Sequence, residues 1–184
     1  NLFNACFYTI FPIYLSIFLL RTYNRNVILY MREGISMSDV KHVARYIIEQ
    51  LGGMTTMKLQ KLVYYCQAWS LAWDEKPLFE EEFQAWANGP VCYELFSEHR
   101  GKFKVDENFL QDYSDYKFEP DELETIGIVI EHYAEKSPHY LSELTHKERP
   151  WKETRGSLPL GESSTEIIPK ELMQEYYAGI SSAE

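Results

Sequence analysis

The chain has 184 residues, with 18 Lys and Arg against 28 Asp and Glu, and a formal net charge of −10. That length suits one domain of about 100–200 residues, and 45% hydrophobic with 15% aromatic residues excludes a wholly disordered chain. The acid excess argues against a non-specific nucleic-acid binder, which needs cations to displace phosphate counterions. Three cysteines (Cys6, Cys66, Cys92) supply neither a disulfide framework nor a CxxC pair.

Residues 1–36 differ from the rest. They hold Arg21, Arg25 and Arg32 but one acid, Glu33, which leaves −12 for residues 37–184. From Ala5 to Leu20 only Thr9 and Ser16 are polar. As a helix this stretch spans roughly 24 Å, short of the ~30 Å hydrocarbon core, and Pro12 would kink it. It lacks the basic start and small-residue end of a cleaved signal peptide. We read Met37 as the start and residues 1–36 as translated upstream sequence, because codons for Arg32-Glu33-Gly34 can spell a purine run where a bacterial ribosome-binding site would lie. The other readings are a structured extension and a membrane anchor, whose arginines would hold the main domain in the cytoplasm.

From Val40 a stripe of Val40, Val43, Ala44, Ile47, Ile48 and Leu51 predicts a helix. Ser38 or Asp39 caps it and Gly52-Gly53 stops it. A second helix follows, with Thr56 as its cap and Leu59, Leu62, Val63, Cys66, Trp69 and Trp73 on its stripe, completing an antiparallel α-hairpin. Phe83–Ala87 alternates as a short strand. Asn88-Gly89-Pro90 is a turn signal, with Pro90 opening a helix through Tyr93, Leu95, Phe96 and His99. Residues 102–118 read as loop with one short strand at most. Pro120 begins a helix with acids crowding its N-terminus and Leu123, Ile126, Ile130, Tyr133 and Ala134 buried. Ser137-Pro138 opens a short helix, Thr145–Arg155 reads as a polar loop anchored by Trp151, and Pro169 opens a last helix over 170–178. The fold class is mainly α, a compact multi-helix domain with at most a small β element.

Catalytic signals are weak. No phosphate-binding glycine loop, GxSxG elbow or HExxH pair occurs. Cys66 lies on an apolar stripe, where thiols are inert packing. Cys92 lies beside a helix N-terminus, which favours a thiolate, and with His146 defines a Cys/His hydrolase as the alternative of another class. The histidines at 42, 99, 132, 139 and 146 form no i, i+4 ligand pair, so no metal is expected. Glu80-Glu81-Glu82 reads as a solvated charge run. Tyr64, Tyr65, Trp69 and Trp73 suit a core or a protein interface better than base stacking in an acidic domain.

Three blocks carry a family resemblance: Lys58-Leu59-Gln60-Lys61-Leu62-Val63-Tyr64-Tyr65-Cys66-Gln67-Ala68-Trp69, Phe83-Gln84-Ala85-Trp86-Ala87-Asn88-Gly89-Pro90-Val91, and Leu141 to Trp151 (LSELTHKERPW). In order and spacing they resemble the Panacea domain of SocA-like antitoxins and phage-associated GepA-type proteins, over roughly residues 38–178. The resemblance implies an antitoxin that neutralises a neighbouring toxin by direct protein binding, in the cytoplasm, with no catalytic residue, metal or cofactor. One related system acts instead as an adaptor that delivers its toxin to a Clp-type protease. The expected partner is a cognate toxin, a basic one given the −12 charge, with no direct nucleic-acid contact and no membrane unless the leader is native. The motif residues, structural or partner-binding, are Lys58, Gln60, Lys61, Tyr64, Tyr65, Trp69, Trp86, Gly89, Pro90, Thr145, His146, Pro150 and Trp151.

Overall fold

The structure is a computed structural model that describes residues 38–159 and 161–182; the expectations for residues 1–36 and for a start at Met37 lie outside them. The described residues form a mainly α fold, as the periodicity predicts.

Helix α1 (Val40–Leu51) begins at Asp39, whose side chain accepts from Lys41 N–H at 2.7 Å. It ends at Gly52, whose φ of +77° suits a residue without Cβ. Its predicted stripe is buried except Leu51, which is exposed at the helix end. A two-residue strand β1 (Met54–Thr55) leads into α2 (Thr56–Trp73). The cap of α2 is Thr55, accepting from Lys58 N–H at 3.3 Å, and not Thr56, whose N–H donates to Phe103 O at 3.1 Å.

Every residue of α2 from Leu59 to Leu71 is buried. The sequence predicts a one-sided stripe, but α2 is the central rod of the fold, packing most extensively on the helices Lys170–Ser182 and Pro120–Tyr133 and then on the strand Gly89–Cys92, α1 and the helix Pro138–Lys147. Leu59, Leu62, Tyr64 and Tyr65 are fully buried, and each such side chain contributes about 1.5–3 kcal/mol by leaving water.

Strands β2 (Phe83–Trp86) and β3 (Gly89–Cys92) form an antiparallel hairpin, with Phe83 opposite Cys92 and Trp86 opposite Gly89. Pro90 therefore sits inside β3 and does not open a helix; α3 (Tyr93–His99) begins three residues later, with Cys92 at its N-cap. Strand β4 (Lys104–Val105) pairs with β1, and a 3₁₀ turn follows at Gln111–Tyr113.

Helix α4 (Pro120–Tyr133) starts where predicted, with a reciprocal cap between Glu119 and Glu122. Its buried face is Glu122, Thr125, Ile126, Val129 and Tyr133, which leaves Leu123 exposed. Ser137 caps α5 (Pro138–Lys147) by accepting from Tyr140 N–H at 3.1 Å. The segment after Thr145 is not a loop: α6 (Arg149–Arg155) starts at N-cap Glu148, with Pro150 in its first turn. Proline is favoured there because its missing N–H has no intrahelical partner to lose. Strand β5 (Ile167–Ile168) adds to the far edge of β2, giving the sheet order β3-β2-β5. Helix α7 (Lys170–Ser182) then docks on α2, burying Met173 and Tyr177.

Candidate functional site

The three motif blocks meet at the β2–β3 hairpin, which is held on two sides. On one side α2 supplies side chains in place of a further strand. The Gln60 amide closes two bonds on Cys92, accepting from its N–H at 2.9 Å and donating to its carbonyl at 3.2 Å. Gln60 Nε2 also lies 3.0 Å from His99 Nε2. Because Gln60 Oε1 already accepts, that nitrogen is the donor, so His99 carries its proton on Nδ1. Burial lowers the His99 pKa, in keeping with a neutral ring. One residue further on, Lys61 Nζ donates to Pro90 O at 2.9 Å. The hairpin edge thus has the partners that buried backbone groups require.

The other side is built by α5 and α6. Ser142 Oγ donates to Asn88 O at 2.8 Å, and Trp151 Nε1 to Trp86 O at 2.9 Å. Arg155 donates to Ala85 O at 2.9 Å and, through its other terminal nitrogen, to Pro159 O and Glu162 O. The guanidinium therefore ties Pro159 and Glu162 to β2. Its carbon stands 5.1 Å from the Trp151 ring centre, and His146 stacks on the same ring at 4.0 Å.

Gly89 lies between the two sides. Its φ is +98°, and a Cβ built there would stand 2.6 Å from Lys61 Cε and 2.7 Å from Thr145 Oγ1. Both conformation and space require glycine. Burial drives the Lys61 pKa down to about 7. His146 is also lowered, by burial first and then by Lys61 and Arg155, and its Nε2 is buried with no hydrogen-bond partner.

A second buried cluster joins the first and third blocks. The Glu148 carboxylate accepts from Tyr65 at 3.2 Å and from Tyr177 at 2.8 Å. Burial raises its pKa to about 8, opposed by those two hydroxyl donors. Tyr64 Oη, beside Tyr177, makes no hydrogen bond of ordinary geometry. Trp69 stacks on Trp73 at 4.5 Å and donates to the Tyr133 hydroxyl at 3.2 Å.

Among the predicted motif residues, Gln60, Lys61, Trp86, Gly89, Pro90, Thr145, His146 and Trp151 thus converge on the hairpin. Tyr64, Tyr65 and Trp69 belong to the α2–α7 core, and Pro150 is buried at the start of α6. Lys58 lies elsewhere, its ammonium on the Ala134 carbonyl at the end of α4.

Residue-by-residue reading missed Glu148, Arg155, Ser142, Tyr177 and Gln67. Gln67 holds the α2–β2 connection through Leu78 N–H and both backbone groups of Phe79. A polar residue on a helix apolar on every side was the available signal for Gln67, and inclusion in the third block was the signal for Glu148 and Ser142. Nothing local marks Arg155 or Tyr177.

Neither described thiol is set up as a nucleophile. Cys66 is fully buried, and burial pushes its pKa up. Cys92 does sit at the N-cap position of α3, without a capping bond, but burial outweighs the helix terminus and its thiol is also pushed up, with Sγ 3.3 Å from Glu94 Oε2. Among the described residues no group of three His, Cys, Asp or Glu side chains is placed to share a metal ion, and no helix is long and apolar enough to cross a membrane.

No curated protein and no solved structure matches the chain. Residues 59–152, which run from the second residue of the first motif block to one residue past the end of the third, match the family described as antitoxin SocA-like, Panacea domain. That match spans just over half of the chain and takes in the clamp residues Gln60, Lys61, Ser142 and Trp151, with Arg155 beyond it. The chain belongs to the SocA-like antitoxin family, with a Panacea domain.

Proposed function

We propose that the protein is the antitoxin of a toxin–antitoxin pair, acting in the cytoplasm by binding its toxin directly. The observation that carries this reading is the family match over residues 59–152. Most of the motif side chains are occupied within the fold, so they hold the domain together and toxin recognition falls to the outer faces. An acid excess of ten charges suits a basic toxin, since complementary fields speed encounter and select the partner.

Delivery of the toxin to a Clp-type protease is the other mode of neutralisation, and it too begins with binding. Co-expression with the product of the reading frame next to this gene tests both. Growth arrest by that product alone, relieved by this protein, is expected; a harmless product, or arrest that persists when this protein is abundant, overturns the antitoxin reading. Unchanged toxin levels during protection indicate masking, and protease-dependent loss of the toxin indicates delivery.

A further inference from the structure

Glu148 stands at the N-cap of α6, 6% exposed, where α2, α6 and α7 meet. The groups that face its carboxyl are phenols: Tyr64 and Tyr65 from α2, and Tyr176 and Tyr177 from α7. Tyr133 of α4 stacks behind Tyr65 at 4.1 Å. Burial first, and Glu148 second, raise the pKa of Tyr64, Tyr65, Tyr176 and Tyr177, so these four stay neutral. The nearest cations in sequence turn away. Lys147 is exposed, Arg149 is spent on Glu153 at 2.7 Å and Glu175 at 2.9 Å, and Arg155 is bound to Ala85 O. A carboxyl taken out of water and given no cation keeps its proton. Burial accordingly raises the Glu148 pKa to about 8, opposed by the Tyr177 and Tyr65 hydroxyls.

Helix α7 is the last described element, and its buried residues are Met173 and Tyr177. The Tyr177 ring lies 5.1 Å from Trp69 and 6.3 Å from each of Tyr64 and Tyr65, so α7 covers the aromatic row of α2. Its other side-chain ties to the domain, among the described residues, lie on the surface: Lys170 to Glu80, and Glu175 to Arg149. Exposed pairs of this kind contribute little. The Tyr177–Glu148 bond is therefore the buried polar link that holds α7 in place. A terminal helix with one such link can open at less cost than the whole fold.

We propose that α7 is a proton-gated lid: protonated Glu148 holds it on α2 through Tyr177, and loss of that proton frees the helix and uncovers Tyr64, Tyr65 and Trp69. The protonated carboxyl still offers Tyr177 an acceptor oxygen. When the proton passes to solvent, the anion is left without a cation, and departure of α7 lets water reach it. In the closed state the carboxyl keeps its proton up to about pH 8, whereas in the open state it returns toward the ordinary 4.5. Between those values the closed state binds one proton more than the open state, so the lid loosens as pH rises. Lys61 titrates at the hairpin and does not touch α7.

The test is amide hydrogen exchange of the full chain between pH 6 and 8, with the pH dependence of the intrinsic exchange rate divided out. At pH 8 residues 170–182 should be less protected than α1 and α4 by about tenfold or more. Their protection should fall by roughly tenfold per pH unit, the slope of one proton. Glu148→Gln keeps the acceptor for Tyr177 and removes the titration, so its α7 protection should stay flat. Tyr177→Phe keeps the ring and removes the donor, and should lower α7 protection at pH 6 by about three- to tenfold. Carboxyl-carbon NMR of wild type with labelled glutamates should show one resonance that titrates well above the others, a readout that needs no variant. Residues 170–182 that exchange at the rate of α1 and α4 at every pH overturn the lid. So does a fall that Glu148→Gln retains, α7 protection that Tyr177→Phe leaves unchanged, or a spectrum in which no glutamate titrates high. The antitoxin reading stands or falls separately, on the co-expression experiment.

Discussion

Lys61 donates its ammonium to the Pro90 carbonyl at 2.9 Å, and its Cε stands where a Cβ on Gly89 would have to go, 2.6 Å away. These residues come from different motif blocks. One contact thus accounts for a lysine in the central helix and a Gly-Pro pair in the hairpin. The lysine fills the space the glycine leaves, and the proline keeps its carbonyl as the acceptor.

Gly89→Ala should therefore be among the most damaging single-methyl changes in the chain. It combines a left-handed backbone with overlap against Lys61 and Thr145. We expect a loss of more than about 2 kcal/mol, measured by urea unfolding. A loss below about 0.5 kcal/mol, the range of an ordinary surface change, would show that the clamp is not as tight as described.

Gln60→Leu removes the partners of Cys92 N–H, Cys92 C=O and His99 Nε2 together. Leaving buried backbone groups unpaired should destabilise the fold by about 2–4 kcal/mol. The His99 imidazole should also lose its fixed tautomer, visible in its nitrogen chemical shifts. Unchanged shifts would contradict the assignment of Gln60 Nε2 as the donor.

Glu148 and Lys61 should give stability two opposed pH slopes. Glu148 is held near 8 in the fold against an ordinary value of 4.5. Between those values the unfolded chain has released a proton that the folded chain keeps, so stability falls as pH rises. Glu148→Gln should flatten that fall, on the order of a few kcal/mol at most. A wild-type fall that persists unchanged in the variant would place its origin elsewhere.

Lys61 works in the other direction. Its folded value of about 7 lies below the ordinary 10.5, so between them the unfolded chain binds the extra proton and stability rises with pH. Lys61→Met keeps most of the stem beside Gly89 and removes the charge. Thermal melts from pH 7 to 10 should lose the wild-type rise, even though Pro90 O is left without its donor. A rise retained in Lys61→Met would contradict the burial of an ionisable amine at this position.

Much of this architecture was legible in the residues. The α1 stripe from Val40 to Ile48, the proline starts at Pro120 and Pro138, and the Phe83 strand follow local rules of periodicity and capping, and they stand where those rules put them. Pro90 and the α6 segment were misread because they depend on distant partners. Pro90 looks like a helix start locally, but Gln60 and Lys61 hold its strand in place from about 30 residues away in sequence. α6 looks polar because Arg155 and the N-cap Glu148 are buried by pairing with Ala85, Tyr65 and Tyr177. Periodicity sees apolar faces; it does not see polar side chains whose partners lie on another element. The motif blocks marked most of the residues that meet at the hairpin, yet only the fold shows that their polar atoms are turned inward.

Direct binding of the toxin is tested most directly by calorimetric titration of the purified protein with the product of the neighbouring reading frame. We expect a saturable complex of sub-micromolar affinity, about −8 kcal/mol or stronger, that weakens as salt rises. Protection of cells from that product without any complex between the two purified proteins would contradict it.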